Sequence, residues 1–178
     1  MAKVTSGWQI SLSLAELLGL TIWIGGLAVI LMTVIPAVFN TLGMEQGGRF
    51  LRKVFDGYNN LTSAIVILLL STAALRTWKV QSMPNQILSV SREEWVLLGS
   101  LVFVTGLIVL ILGPKAIELQ EAAFSAETQE AKKTAYDAFF RTHMMVRTLH
   151  LINLGVAVSL LVTKFRQWLK KRAAFGFD

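Results

Sequence analysis

The strongest constraint on the fold of this sequence is that its apolar residues gather into four long blocks. The blocks run from about residue 10 to 39, 58 to 78, 95 to 117 and 144 to 162. A helix of about 20 residues is needed to cross a hydrocarbon core about 30 Å thick, and each block is long enough. The pattern therefore predicts an all-α integral membrane protein.

Four blocks predict one transmembrane domain over residues 1–178, a four-helix transmembrane bundle with both termini on the same side. The segment 118–141 is rich in Ala, Glu, Gln and Lys, which favour helices. We therefore expect the third and fourth helices to continue out of the membrane and to turn near Ser125. No internal repeat is visible in the sequence.

Short motifs predict how individual helices begin and end. Ser91, followed three residues later by Glu94, predicts a capping box at the start of the third helix. Met83-Pro84-Asn85 predicts a turn before that helix. Pro36 and Pro114 are expected to disturb the far ends of the first and third helices.

The composition supports a membrane environment and excludes several classes of function. Only 16% of the 178 residues are charged, against about 25% in soluble domains. There is no cysteine, so disulfides and thiolate metal sites are excluded. The net charge of +6 is expected to serve membrane orientation and headgroup contact, so we expect no nucleic-acid partner. Glu16 interrupts the first apolar run, which argues against a cleavable signal peptide.

The basic residues give a preference for one orientation. The side that holds the termini carries nine of the 17 lysines and arginines, and the other side carries eight. A compact basic cluster at residues 164–172 tips the prediction toward cytoplasmic N and C termini.

Two charged residues of opposite sign fall at similar depth near the side of the termini. Glu16 lies about two turns past Trp8, and Arg76 ends the second block. Because an isolated charge is costly inside a membrane, we predict an ion pair between Glu16 and Arg76. A proton or cation site at Glu16 is the alternative.

A second group of polar residues is expected near the opposite side of the membrane. His143, Arg147 and His150 repeat at helical spacing on one face of the fourth helix. Asn153 lies at the edge of this stripe, and Lys115 and Asp56 should reach a similar depth. The stripe predicts either a polar vestibule inside the bundle or contact with headgroup phosphates.

Cofactor chemistry has little support in the sequence. Both histidines lie on one helix, about 10.5 Å apart at 1.5 Å per residue, so they cannot both ligate one haem; a histidine–methionine pair stays open. His143, His150 and Met32 are weak candidates for copper, since imidazole and thioether suit Cu(I). No catalytic motif is present, so we expect a non-catalytic protein and favour no cofactor.

Small residues mark a smooth surface on the third helix. Gly99, Gly106 and Gly113 recur every seven residues, and such faces let transmembrane helices approach closely. We interpret this spacing as a helix-packing surface.

Several short motifs resemble those of a known membrane family. Thr21-Ile-Trp-Ile-Gly-Gly26, Ile35-Pro-Ala-Val-Phe39, Gly47-Gly-Arg-Phe-Leu51, Gly113-Pro114-Lys115 and Phe139-Phe-Arg-Thr-His143 resemble segments of the bacterial relatives of transmembrane protein 205. That resemblance implies a four-helix membrane fold without an agreed activity. His150 stands where the family's asparagine is expected. The first helix is more loosely similar to the membrane domain of copper resistance protein D, but Glu16 replaces the histidine expected there.

Taken together, these patterns lead to three hypotheses about function. The first is an accessory or structural subunit, surrounded by the lipid bilayer and bound to other membrane protein subunits. The alternatives are a protein that handles a metal such as copper or a small solute, and a small haem-binding redox protein.

Overall fold

A computed structural model describes residues 7–82 and 90–174, and all the regular secondary structure in them is helical. Two short π-helical turns join pairs of α-helices end to end. The turn predicted at Met83-Pro84-Asn85 lies outside the described residues. In chain order the elements are α1 (Gly7–Val29), a π turn (Ile30–Val34), α2 (Ile35–Ser82), α3 (Arg92–Gly106), a π turn (Leu107–Leu112), α4 (Gly113–Ser125) and α5 (Gln129–Ala174).

The chain reverses direction inside α2, at Gly43. This glycine has φ 71° and ψ −170°, a backbone conformation that is essentially restricted to glycine. The segments before and after it lie side by side: the Tyr58 hydroxyl donates to the Trp23 carbonyl oxygen over 3.1 Å. Thr72 likewise contacts Glu16 near the other end. Residues 7–82 therefore form a helical hairpin, called here the first hairpin.

Residues 90–174 form the second hairpin. α4 ends at Ser125 and α5 begins at Gln129, so helix continues on both sides of a short break. α5 returns antiparallel to α3, since Asn153 donates to the Thr105 hydroxyl over 3.0 Å and Lys164 contacts Glu94. The break lies where the sequence predicted a turn.

The two hairpins repeat one pattern, although no repeat was visible in the sequence alone. Residues in equivalent positions are separated by 78 places in the chain, as the pairs Glu16/Glu94, Leu20/Leu98, Ile30/Ile108 and Pro36/Pro114 show. Both π turns obey this offset, because the Ile35 N–H donates to the Ile30 oxygen and the Gly113 N–H to the Ile108 oxygen. Other equivalent positions carry different residues, such as Trp23 and Leu101 or Leu27 and Thr105, which explains why sequence inspection missed the repeat.

The chain has three helical segments that are long and apolar enough to cross a membrane: Ile10–Trp78, Arg92–Ser125 and Gln129–Leu169. In their most apolar stretches only 22–28% of residues are buried. Side chains such as Phe103 and Leu110 are more than 70% exposed. An apolar surface of this extent is expected of a protein surrounded by lipid, so the chain is a membrane protein.

The interior is held by apolar side chains from both hairpins. Trp23, the only buried tryptophan in the described residues, is 1% exposed and lies among leucines of the other helices. The core consists mainly of Leu20, Trp23, Leu27, Leu69, Leu98, Leu101, Ala157 and Leu160.

Replacing Gly43 with alanine tests the first reversal. We expect Gly43→Ala to lower the free energy of unfolding by about 1–3 kcal/mol, because a Cβ is disfavoured at that backbone conformation. Gly57→Ala is the matched control: a Cβ added to Gly57, which lies in the same helix, would meet nothing within 4 Å, so alanine should be neutral or stabilising. Unfolding in detergent measures both, and equal effects would contradict the role of Gly43.

Candidate functional site

Four charged side chains meet in the interior near the end of the helix bundle where the helix ends Gly7, Ser82, Arg92 and Ala174 lie. They are Glu16 from α1, Arg76 from α2, Glu94 from α3 and Lys164 from α5, all at most 7% exposed. We call this cluster the ionic quartet and that end of the bundle the terminal side.

Each acid of the quartet contacts both bases. Arg76 Nη1 lies 3.3 Å from Glu16 Oε1 and 2.9 Å from Glu94 Oε1, and its Nη2 donates to Glu94 Oε2 over 3.2 Å. Lys164 Nζ donates to Glu16 Oε2 over 2.8 Å and to Glu94 Oε1 over 2.6 Å. The Thr72 hydroxyl adds a hydrogen bond to Glu16 Oε1 over 2.6 Å. The quartet is therefore a closed ring of ion pairs.

The first turn of α3 explains how Glu94 reaches the ring. The Glu94 N–H donates to Ser91 Oγ over 3.2 Å, so Ser91 caps the helix as the sequence predicted. The reciprocal half of the predicted capping box is replaced, because the Glu94 carboxylate turns inward to Arg76 and Lys164. Gln167 of α5 also donates to Ser91 Oγ. The cap of α3 is thus joined to the same helix that supplies Lys164.

The electrostatics of the quartet are balanced. Two positive and two negative charges cancel, and each carboxylate oxygen accepts at least one hydrogen bond. Such balance is needed because removing one partner from a buried ion pair leaves an uncompensated charge. The arrangement is suited to holding four helical segments at a fixed relative depth.

Of the four ion pairs in this ring, the sequence predicted only the one between Glu16 and Arg76. Glu16 and Arg76 are in contact, as their depths suggested. Glu94 was assigned only to a helix cap, and Lys164 only to the basic cluster at residues 164–172. Two signals pointed to them: Glu94 lies 78 residues after Glu16, and Lys164 lies just inside Trp168 as Arg76 lies just inside Trp78.

A second buried polar group lies closer to the middle of the bundle. The His150 ring, 8% exposed, contacts the rings of Phe55 and Tyr58 at centroid distances of 5.7 and 5.9 Å. Asn153 is 3% exposed and bonds Thr105 through its amide nitrogen. Its Oδ1, like that of Asn59, is buried without a hydrogen-bond partner in the described part of the chain. Two amide oxygens therefore have unused capacity to accept hydrogen bonds.

The rest of the predicted polar stripe lies in a different environment. His143, Arg147, Lys115 and Asp56 are exposed, and the Lys115 ammonium bonds Glu118 over 2.9 Å. Helical spacing placed His143 and His150 on one face, but only the inner end of that face enters the bundle. The outer residues lie on the surface of the bundle.

The weak metal candidates are similarly separated by environment. Met32 is 81% exposed, His143 is exposed and His150 is buried. Within residues 7–82 and 90–174, no three or more His, Cys, Asp or Glu side chains form a group that could hold a metal ion.

A second set of ion pairs joins the hairpins at the opposite end of the bundle from the ionic quartet. Arg52 lies 2.7 Å and Arg49 3.0 Å from the Glu121 carboxylate. The Arg49 guanidinium also lies 4.8 Å above the Phe124 ring. These contacts are partly exposed, so they are worth less than the buried quartet.

Neutralising one member of the quartet should destabilise the protein more than breaking an exposed pair. We expect Arg76→Met to lower the free energy of unfolding by about 3–5 kcal/mol, because it leaves two buried glutamates with one lysine. Lys115→Met, which breaks the exposed pair with Glu118, should cost less than about 1 kcal/mol. Thermal or denaturant unfolding in the same detergent measures both; similar losses would show that the quartet is not a buried network.

The comparisons with known proteins give a family but no described activity. No curated protein and no solved structure matches this chain. Residues 18–125, more than half of the chain, match the family described as Domain of unknown function (DUF4149). The match contains Arg76 and Glu94, whereas Glu16 and Lys164 lie outside it. This protein belongs to the DUF4149 family.

Proposed function

We propose that this protein is a non-catalytic accessory subunit of a larger membrane complex, with four membrane crossings and a docking face on α3. The observation that carries the proposal is a pair of glycines on α3 that face open space. The four crossings and the docking face rest on separate arguments.

Four crossings are supported by the depth of equivalent residues. Glu16 is separated from Pro36, and Glu94 from Pro114, by 20 residues, which is about 30 Å of helix and matches a hydrocarbon core. Four of the five tryptophans lie near helix ends on the terminal side, where indole rings favour the membrane interface; these are Trp8, Trp78, Trp95 and Trp168. The reversal at Gly43 would then lie outside the core, so that Ile10–Trp78 crosses twice.

The docking face consists of Val96, Gly99, Phe103 and Gly106 on α3 and Leu110 in the π turn that follows it. A Cβ added to Gly99 or Gly106 would meet nothing within 4 Å. By contrast, Gly19 and Gly26 of α1 pack against Ile65 and Tyr58, which a Cβ added to those glycines would approach to 3.3 and 3.4 Å. Gly99 and Gly106 of the smooth face predicted from the sequence are thus unused by the described residues of this chain, whereas a Cβ added to Gly113 would lie 2.9 Å from the Ile108 carbonyl oxygen.

An unused smooth face inside a membrane supports a partner helix. Glycine in a helix interior is destabilising by about 0.5–1 kcal/mol relative to alanine, and here no packing within the described part of the chain offsets that cost. Transmembrane helices associate through such small residues because their backbones can approach closely. The partner we propose is therefore a transmembrane helix of another integral membrane protein.

Site-specific photocrosslinking tests the docking face. A photoreactive residue replacing Phe103 should form a discrete protein adduct in native membranes, because Phe103 lies between the two glycines. The same residue replacing Ile67, which is 65% exposed on α2, should capture lipid only. Gly99→Leu combined with Gly106→Leu should abolish the adduct, whereas Gly25→Leu, an open glycine on α1, should not.

Two outcomes would overturn the accessory-subunit proposal. Lipid adducts alone at position 103 would remove the docking face. An adduct with the mass of two copies of this chain would show self-association instead of a heteromeric complex.

We propose that both termini are cytoplasmic. Cysteines replacing Lys3 and Phe175 should react with an impermeant reagent from the same face of sealed vesicles, and a cysteine replacing Ala131 from the other. The chain has no native cysteine, so each label reports one position. Labelling of residues 3 and 175 from opposite faces would eliminate the four-crossing arrangement.

Within the DUF4149 family, we propose a closer kinship to the bacterial relatives of transmembrane protein 205. The motifs from Thr21 to Gly26 and from Phe139 to His143 support it. This kinship implies no activity and is compatible with the accessory role.

The second candidate function is the handling of a small solute, and the unpartnered Asn59 and Asn153 oxygens favour it. Buried acceptors without donors are unfavourable, so a suitable solute would carry N–H or O–H donors. Ammonium should then stabilise the protein against heat more than tetramethylammonium, which has no donor. Asn153→Leu should abolish that difference, and equal effects of the two ions on the unaltered protein would count against this function.

A further inference from the structure

We propose that the ionic quartet is a gate between the two hairpins, which opens by separating into two neutral ion pairs. The proposal does not depend on the docking face. It rests on which hairpin supplies each charge, on the backbone of α1 and α3, and on the contacts at the far side.

Each hairpin contributes one acid and one base that contact each other. Glu16 pairs with Arg76 inside the first hairpin, and Glu94 pairs with Lys164 inside the second. The contacts between hairpins are Arg76 with Glu94 and Lys164 with Glu16. When the hairpins part, the two contacts between them are lost and one neutral pair remains in each hairpin.

This division avoids the main obstacle to opening a buried charged cluster. Removing one partner of a buried ion pair is strongly unfavourable because the remaining charge is uncompensated. Here no charge would lose its last partner, and Glu16 would also keep the hydrogen bond from Thr72 of its own hairpin. The seam between the hairpins can therefore open without stranding a charge in lipid.

The backbone departs from regular α-helix at equivalent points in both hairpins. Each π turn is followed by a proline, Pro36 after Ile30–Val34 and Pro114 after Leu107–Leu112. π turns of this kind occur frequently at functional sites, and proline removes a backbone donor from the helix. Both turns directly follow the helices that carry the quartet glutamates, α1 and α3. A bend at these points would tilt α1 and α3 at the terminal side, and the retained pairs Glu16–Arg76 and Glu94–Lys164 would carry the returning segments of the hairpins with them.

Opening is expected at the terminal side because the hairpins are joined again at the far side. Glu121 of the second hairpin binds Arg49 and Arg52 of the first. With that end held, separation at the quartet would give access to the seam from the terminal side. The two buried amide oxygens that lack a hydrogen-bond partner in the described residues come from different hairpins: Asn59 Oδ1 from the first and Asn153 Oδ1 from the second.

Two double variants with the same change in charge distinguish a gate from a permanent clasp. Glu16→Gln with Arg76→Gln leaves Glu94 and Lys164, which belong to one hairpin. Glu16→Gln with Lys164→Gln leaves Arg76 and Glu94, which join the two hairpins. Each variant loses one acid and one base, so the remaining pair is neutral in both.

A single cysteine that lies further from the terminal side than the quartet reports whether the gate has opened. Ala157 is fully buried, seven residues and about 10.5 Å along α5 from Lys164. Ala157→Cys is introduced into both double variants and into the unaltered chain, which has no cysteine of its own. The reconstituted proteins are treated with a charged methanethiosulfonate, and a cysteine replacing the exposed Arg166 serves as the fully reactive reference.

The gate predicts that the variant retaining the pair within one hairpin is labelled on the order of tenfold faster than the variant retaining the pair between hairpins. The latter should react as slowly as the protein with the intact quartet. Equal labelling rates in the two double variants would overturn the proposal, because they would show that any neutral pair closes the seam equally well.

A distance measurement on the intact quartet covers the case in which a double variant fails to fold. Spin labels at Leu75 of α2 and Val162 of α5, both exposed side chains on different hairpins, should report a main distance and a second, longer one. The double variant Glu16→Gln with Lys164→Gln, which retains the Arg76–Glu94 pair between the hairpins, should lose the longer distance. A single narrow distance in the unaltered protein would overturn the gate.

Discussion

The ring of four buried charges is the interaction on which the rest of this structure depends. In lipid the hydrophobic effect does not drive helices together, and polar contacts and close packing take its place. Glu16, Arg76, Glu94 and Lys164 come from four helical segments, and none can be buried alone at acceptable cost. The ring therefore fixes the relative depth of all four segments, which the apolar blocks by themselves would leave free to slide.

The repeat explains why such a ring can form at all. Each hairpin places a glutamate on its first helix at the same distance from a π turn and a proline. Each also places a base on its returning helix. The bases do not obey the offset of 78, since Lys164 follows Arg76 by 88 residues, and the longer α4–α5 extension accounts for the difference. The two halves thus place their glutamates equivalently and differ at the opposite end of the bundle, where α4 and α5 extend further.

Sequence reasoning succeeded where length and depth decide the answer. The apolar blocks predicted membrane-crossing helices, and the depths of Glu16 and Arg76 brought those residues together. It failed where the direction of a side chain decides: Glu94 has the right spacing for a cap, and only the packed structure shows its carboxylate turned to Arg76. Periodicity also placed His143 and His150 on one face, but it carries no information on where that face leaves the bundle. For Gly99 and Gly106 it predicted a packing face without saying whose helix would occupy it.

One helix links the proposed docking face to the proposed gate. α3 carries Glu94 on its inner side and Gly99 and Gly106 on its outer side, and a π turn with Pro114 follows it. A partner helix on the outer face would restrain α3, and Glu94 can leave Arg76 only if α3 and α2 separate. Binding of the partner and opening of the quartet would then influence each other by the same free energy in both directions. In the proposed accessory role, the protein could in this way pass the state of one membrane protein to the interior of a neighbouring helix bundle.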